Sequence, residues 1–157
     1  MGPRAATSLV TPSFRAATPD DLPMVYRAEL AYIRDVEPDA EPAWIRATDR
    51  NLELWVANLL RTTVAEVAGE PAGFVMWMPT GQTATVVTVQ VLPEFRRCGL
   101  GRRLLDRVVA DADGRSVELG VHRANPARAL YERAGFTRVS ERGDYLMYRR
   151  DRTTLPA

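Results

Sequence analysis

The segment Val89 to Leu105, VQVLPEFRRCGLGRRLL, constrains this chain more than any other part of it. A β-branched run stops at Pro93, a turn rich in arginine and glycine follows, and a run with helical spacing begins at once. In that order, the free N–H groups of a helix N-terminus lie beside a backbone that Gly99 and Gly101 leave unobstructed, an anion site made of main chain. Arg96, Arg97, Arg102 and Arg103 surround the turn with positive charge. A diphosphate suits it. Dinucleotide folds and ordinary turns also place Gly-x-Gly after a strand, so the segment alone leaves the ligand open.

The flanking sequence alternates between the helical and the extended period. Ser13 to Ala17 reads as a short strand, and Thr18-Pro19-Asp20-Asp21 as a helix start with Thr18 as cap, Pro19 at the first helical position and acids in the first turn. Leu22, Val25, Tyr26, Leu30 and Ile33 continue that helix, which ends before Pro38. A second helix is predicted from about Ala43 to Leu60, with Trp44, Thr48, Leu52, Trp55, Val56 and Leu59 on one face. Thr63 to Ala68 and Ala72 to Met78 form a hairpin through Gly69-Glu70-Pro71, and Thr83 to Leu92 is the strongest strand.

Beyond the glycine turn, Leu100, Leu104, Leu105, Val108, Val109 and Ala112 share a helix face that Asp113-Gly114 closes. A buried strand, Ser116 to Val121, precedes a helix from Pro126 to Ala134, capped by Asn125 and stopped by Gly135. Two strands, Thr137 to Glu141 and Asp144 to Arg150, end the pattern.

At 157 residues, with 46% hydrophobic and 26% charged residues, the chain fits one globular domain, predicted to span 13–151 between a flexible leader, 1–12, and a tail, 152–157. No apolar run approaches the roughly 18 residues of a membrane span, so a cytoplasmic location without membrane contact is expected. One cysteine, Cys98, and one histidine, His122, give no internal disulfide and no metal site. All 21 basic residues are arginine, but the net charge of +1 argues against nucleic acid as a partner. Exposed terminal strands offer a route to a homodimer.

Two motifs in tandem carry a resemblance. Val91-Leu92-Pro93 followed by Arg96-Arg97-Cys98-Gly99-Leu100-Gly101 resembles the acyl-CoA-binding segment of the GNAT N-acetyltransferases. About 20 residues on, Asn125, Ala129, Leu130, Tyr131, Gly135 and Phe136 resemble the family's second signature. The resemblance covers roughly Ala65 to Arg150. It implies an α+β acyl-CoA N-acyltransferase fold: a mixed, mostly antiparallel, splayed sheet of six to seven strands flanked by about four helices.

The resemblance also implies acetyl-CoA as cosubstrate and an amine as acceptor. Val89, Gln90 and Val91 fall where the family exposes main chain to the pantetheine arm, whose amides add to an open strand edge. Arg96, Arg97, Cys98, Gly99, Leu100, Gly101 and Arg102 would hold the pyrophosphate, with Arg102 or Arg103 reaching the nucleotide phosphate. Asn125 and Tyr131 complete the set, the Tyr131 hydroxyl as general acid to the leaving thiolate and a main-chain N–H near Val91 as oxyanion donor.

The place where many relatives carry a glutamate, near the start of the central strand, holds Thr85. The base is therefore sought at Glu66 or His122, acting directly or through water. Thr85 also keeps a rival reading in view, a non-catalytic acyl-CoA sensor. For the acceptor, Asp35, Glu37, Asp39 and Glu41 form an acid-rich loop that would attract a cation. Trp44, Trp55 and Trp77 are candidates for an aromatic pocket or for plain core.

Overall fold

The computed structural model describes residues 11–151. The predicted tail and all but the end of the predicted leader lie outside the described residues. Seven strands form one sheet in the order β1-β2-β3-β4-β5-β7-β6: β1 (Ser13–Ala16), β2 (Thr62–Val67), β3 (Glu70–Thr80), β4 (Thr83–Val91), β5 (Ser116–His122), β6 (Thr137–Arg142) and β7 (Tyr145–Arg150). Every pairing is antiparallel except β4 with β5. Five helices flank it: α1 (Leu22–Val36), α2 (Glu41–Arg46), α3 (Thr48–Ala57), α4 (Leu100–Asp111) and α5 (Arg128–Arg133).

The sheet divides two cores. Ala65, Val75, Trp77 and Val86 pack with Leu104, Leu105 and Val108 of α4 on one face, and Tyr131 and Phe136 join them. On the other face Val64, Phe74 and Met76 pack with Val25 of α1 and Trp55 of α3. β3 is covered on both sides, which explains its unbroken apolar run from Ala72 to Met78. Trp55 and Trp77 are both core residues, in opposite layers. Trp44 stacks between Tyr26 and Trp55, with ring centroids at 5.7 and 6.4 Å.

Several local expectations are corrected. The single helix predicted from Ala43 to Leu60 is two, α2 and α3, broken at Ala47. There the Thr48 hydroxyl donates to the Ile45 carbonyl at 2.5 Å and replaces a main-chain partner. Leu52 and Val56 consequently face solvent rather than the core. The turn of the β2–β3 hairpin is Ala68-Gly69, both at positive φ, and Glu70-Pro71 already belongs to β3. The helix after Asn125 is only α5, because residues 126 and 127 form a turn whose Ala127 N–H the Asn125 Oδ1 accepts at 2.9 Å. At the first helix, Pro19–Asp21 is a 3-10 turn, and Asp21 accepts the Thr18 N–H at 2.8 Å.

β4 and β5 pair only from Thr83/Ser116 to Thr85/Glu118 and then part. The β3–β4 register shifts between Met76 and Trp77, so Val87 bulges where the two strands separate. The result is a slot bordered by the free half of β4 and by the end of β5. Among the described residues no helix is long and apolar enough to cross a membrane. β6 forms the outer edge, exposed throughout and carrying Arg138 and Glu141.

Candidate functional site

The free edge of β4 forms one wall of the slot. Leu92 N–H donates to Ala72 O at 2.9 Å, so its main chain faces β3, and by strand alternation that of Gln90 does too. Val89 and Val91 therefore present their main chain to the slot. Arg96 Nε donates to Val91 O at 3.1 Å, which folds the turn back over the strand end. Gln90 is placed differently from its neighbours: its side-chain amide reaches toward α1.

Past Pro93 the chain opens its amides. Among the described residues none of the N–H groups from Arg97 to Arg102 has an acceptor, and the first bond of α4 is Arg103 N–H to Gly99 O at 3.3 Å. Arg97 and Gly99 both have positive φ, 66° and 76°, which turns successive amides inward. Arg96, Arg97, Cys98 and Gly99 are exposed, whereas Leu100 and Gly101 are buried. A Cβ on Gly99 would meet nothing within 4 Å, so its φ is what requires glycine. Gly101 is different: a Cβ there would lie 2.8 Å from Leu130 Cδ2, so this glycine lets α4 and α5 approach rather than clearing space for a ligand. Arg102 and Arg103 also separate. Arg103 stacks over Phe14 with Arg107, while Arg102 lines a polar cavity of about 320 Å³ with Arg133, Arg150 and Asp106.

Tyr131 rises from α5 on the α4 side of the sheet, its ring held by Phe136 and Tyr148 at 6.4 and 6.3 Å. Burial, with the Glu29 charge adding to it, pushes its hydroxyl up to about 12. Tyr131 stands on the α4 side of the sheet and Glu29 on the α1 side, both by the stretch where β4 and β5 part. Thr88 Oγ donates to Glu29 Oε1, and Gln90 Nε2 donates to the same oxygen at 3.3 Å. Burial raises the Glu29 carboxyl, Thr88 and Gln90 oppose that, and the Glu37 charge adds to it.

At the slot mouth Tyr145 donates to Glu37 Oε1 at 2.5 Å, and Tyr32 lies between Glu37 and Asn125. Burial comes first, and Glu37 second, in raising both phenols above their ordinary range. His122 packs edge-on against Tyr145 at 5.4 Å, and its Nδ1 accepts the Ala124 N–H at 3.1 Å. Glu66 is not brought here. It lies on β2, two strands from β4, and accepts Arg15 Nε at 2.9 Å. In the acid-rich loop Glu41 pairs with Arg34 at 2.6 Å, whereas Glu37 is bonded to Tyr145 at the slot mouth. Thr85 sits outside the open segment and donates to Thr80 Oγ at 2.9 Å.

The model of the acetyltransferase (GNAT) domain matches residues 54–138, which contain the glycine turn, the slot strands and Tyr131. The chain belongs to the GNAT family. Acetyl-CoA is the cosubstrate of this family, and the sequence resemblance is confirmed in both family and fold. The ribosomal protein bS18-alanine N-acetyltransferase of Haemophilus influenzae is 33% identical over 76 residues, 46% of this chain and 52% of that protein. The mycothiol acetyltransferase of Thermobifida fusca is 50% identical over 52 residues, 32% of this chain and 16% of its own length. The chain thus spans about half the length of the first relative and less of the second. Among solved structures, the PaiA N-acetyltransferase of Thermoplasma acidophilum, in complex with coenzyme A, shares the fold at a TM-score of 0.76 and 18% identity, covering 90% of this chain and 99% of that one.

Glu29 and Thr88 are the residues that sequence reasoning missed. Glu29 lies within the apolar face of α1, three residues after Tyr26 and four before Ile33, and a carboxylate at that position was the available signal. Thr88 could have been noticed as a hydroxyl in an otherwise apolar run, directly before the slot-facing Val89.

Proposed function

We propose that the protein is an acetyl-CoA-dependent N-acetyltransferase that acylates a primary amine by direct attack in a ternary complex. The observation that carries this is a continuous donor track: the open edge of β4 at Val89 and Val91 runs directly into the unpartnered N–H groups of Arg97 to Arg102. Pantetheine amides match the first part and a pyrophosphate the second. Each hydrogen bond to a charged acceptor contributes roughly 1.5–3 kcal/mol, so a few suffice for micromolar affinity. Arg102 faces the arginine-lined cavity and is the residue placed to meet the nucleotide phosphate, and Cys98 takes part through its main chain.

The thioester supplies an electrophilic carbonyl and a thiolate leaving group. Tyr131 donates to the departing sulfur. Its hydroxyl has no hydrogen-bond partner among the described residues and keeps solvent contact, so it is free to do so. An unpaired main-chain N–H on β4, at Val89 or Val91, stabilises charge on the carbonyl oxygen. The acceptor enters on the α1 side, where Glu37, Tyr32 and Tyr145 form a polar, anionic mouth suited to an ammonium group. The curated relative that acetylates an alanine of a ribosomal protein supports nitrogen as the nucleophile.

The test is thiol release from acetyl-CoA across an acceptor panel of peptide N-termini, lysine, polyamines and amino-bearing antibiotics. Turnover with at least one amine is expected. Thermal stabilisation by acetyl-CoA with no acceptor consumed would sink the catalytic reading in favour of a sensor.

A further inference from the structure

We propose that Glu29 is the general base of the transfer, acting from the acceptor side of the slot while Tyr131 serves the leaving group from the other. This rests on the acetyltransferase reading above. The geometry is specific. Glu29 is anchored to the open stretch of β4 itself, by the two side chains that flank Val89, and both donate to the same oxygen. No described residue donates to the other oxygen, Oε2. The carboxylate is thus held at the open stretch of β4 through one oxygen, and the other is left without a donor among the described residues.

The rival groups are engaged elsewhere. Glu66 is held by Arg15, Glu37 accepts from Tyr145, and His122 Nδ1 accepts a main-chain N–H. Glu29 takes part in none of the ion pairs among the described residues. An arginine partner would hold it ionised and make it a poor proton acceptor. Its surroundings do the opposite: the Glu37 carboxylate acts on it, Tyr32 follows it by three residues on α1, its own charge acts on Tyr131 of α5, and β4 presents uncharged Thr88 and Gln90. Partial burial next to a second carboxylate brings its proton affinity closer to that of an amine, whose ordinary pKa is about 10.4.

The proton balance closes. The acceptor ammonium gives a proton to Glu29 Oε2, the amine nitrogen bonds to the acetyl carbon, the carbon–sulfur bond breaks, and the Tyr131 proton goes to sulfur. Tyr131 recovers its proton from the amide nitrogen by way of solvent, and Glu29 releases its own to solvent. The two ends are coupled, because protonating Glu29 removes a charge that holds the Tyr131 hydroxyl high. Tyr131 becomes the stronger acid once the nucleophile has been deprotonated.

Glu29→Gln preserves size and can still accept from Thr88 and Gln90. With the acceptor that the wild type turns over fastest, kcat should fall by about 100-fold or more. Acetyl-CoA Kd, measured by calorimetry, should stay within about threefold, and the acidic limb of the kcat–pH profile should disappear. Thr88→Val leaves the carboxylate but removes a donor that favours its charged form, so that limb should move to higher pH. Wild-type-like kcat in Glu29→Gln, or an unmoved limb in Thr88→Val, overturns the assignment while leaving the acetyltransferase reading intact. A wild type that acetylates nothing in the panel overturns both.

Discussion

Gly73→Ala isolates one steric contact that sets the position of the donor edge. Gly73 lies on β3 opposite Val91, and an added Cβ would stand 2.6 Å from the Gln90 carbonyl oxygen, 3.3 Å from Val91 Cα and 3.4 Å from Leu104 Cδ1. An ordinary carbon–oxygen contact is about 3.3 Å, so β4 must move by about 0.7 Å, and the obstacle is backbone that no rotamer change relieves. Overpacking of this kind costs about 1–3 kcal/mol, and the stiffer unfolded chain returns about 0.4–1. A net loss of about 1–2 kcal/mol remains. With 157 residues at about 2.1 cal/mol/K each, the unfolding entropy is about 330 cal/mol/K, so Tm should drop by about 3–6 °C in scanning calorimetry. Displacing Gln90 and Val91 also misplaces the slot-facing amides, and acetyl-CoA should bind about tenfold more weakly, the equivalent of one hydrogen bond. Gly120→Ala is the control: its Cβ would meet the Met147 Sδ at 3.3 Å, a thioether that can yield. A Gly73→Ala Tm within 1 °C of wild type, or one matching Gly120→Ala, would refute the reasoning.

Tyr131→Phe should lower kcat about 100-fold while leaving the acetyl-CoA Kd within about threefold, and unchanged turnover in steady-state kinetics would remove Tyr131 from its role. Gly99→Glu forces a side chain onto a φ of 76° and puts a carboxylate at the donor cradle; calorimetry should detect no acetyl-CoA binding, and tight binding would count against the phosphate turn. Asp21 is buried, and hydrogen bonds from Arg15 hold its carboxyl below the usual range. A depressed folded pKa stabilises the fold above the unfolded value of about 3.9, and that contribution is lost as pH falls through the folded one. The urea midpoint should therefore drop below about pH 4, and Asp21→Asn should flatten that drop; an identical acid limb in the variant would discount the pair.

Elements whose burial pattern has a period were legible. The α4 face from Leu100 to Ala112, the β-branched run of β4 and the alternation of β5 were all readable because each packs one regular face against the sheet. Element ends and turns were less so. The break at Ala47 depends on the Thr48 hydroxyl competing for a carbonyl, and the Ala68-Gly69 turn displaced the expected Gly69-Glu70-Pro71, neither of which periodicity records.

The sequence by itself made the donor half of the candidate site legible, because that half is main chain presented by consecutive residues: Val89 to Arg102 supplies strand, turn and helix start in one run, and β3 and β5 decide only which edge of that strand is open. Both glycines were read there, yet their separate reasons were not, since Gly99 answers to its own φ and Gly101 to Leu130 across the helix pair. In the acceptor half the acid-rich loop with Glu37 was readable, but the carboxylate at the open strand was decided by tertiary structure. Glu29 and Thr88 are 59 positions apart in the chain and meet only because α1 crosses the face of the sheet where β4 and β5 separate. A carboxylate acquires that setting from its neighbours in space, and no local pattern in α1 announces them.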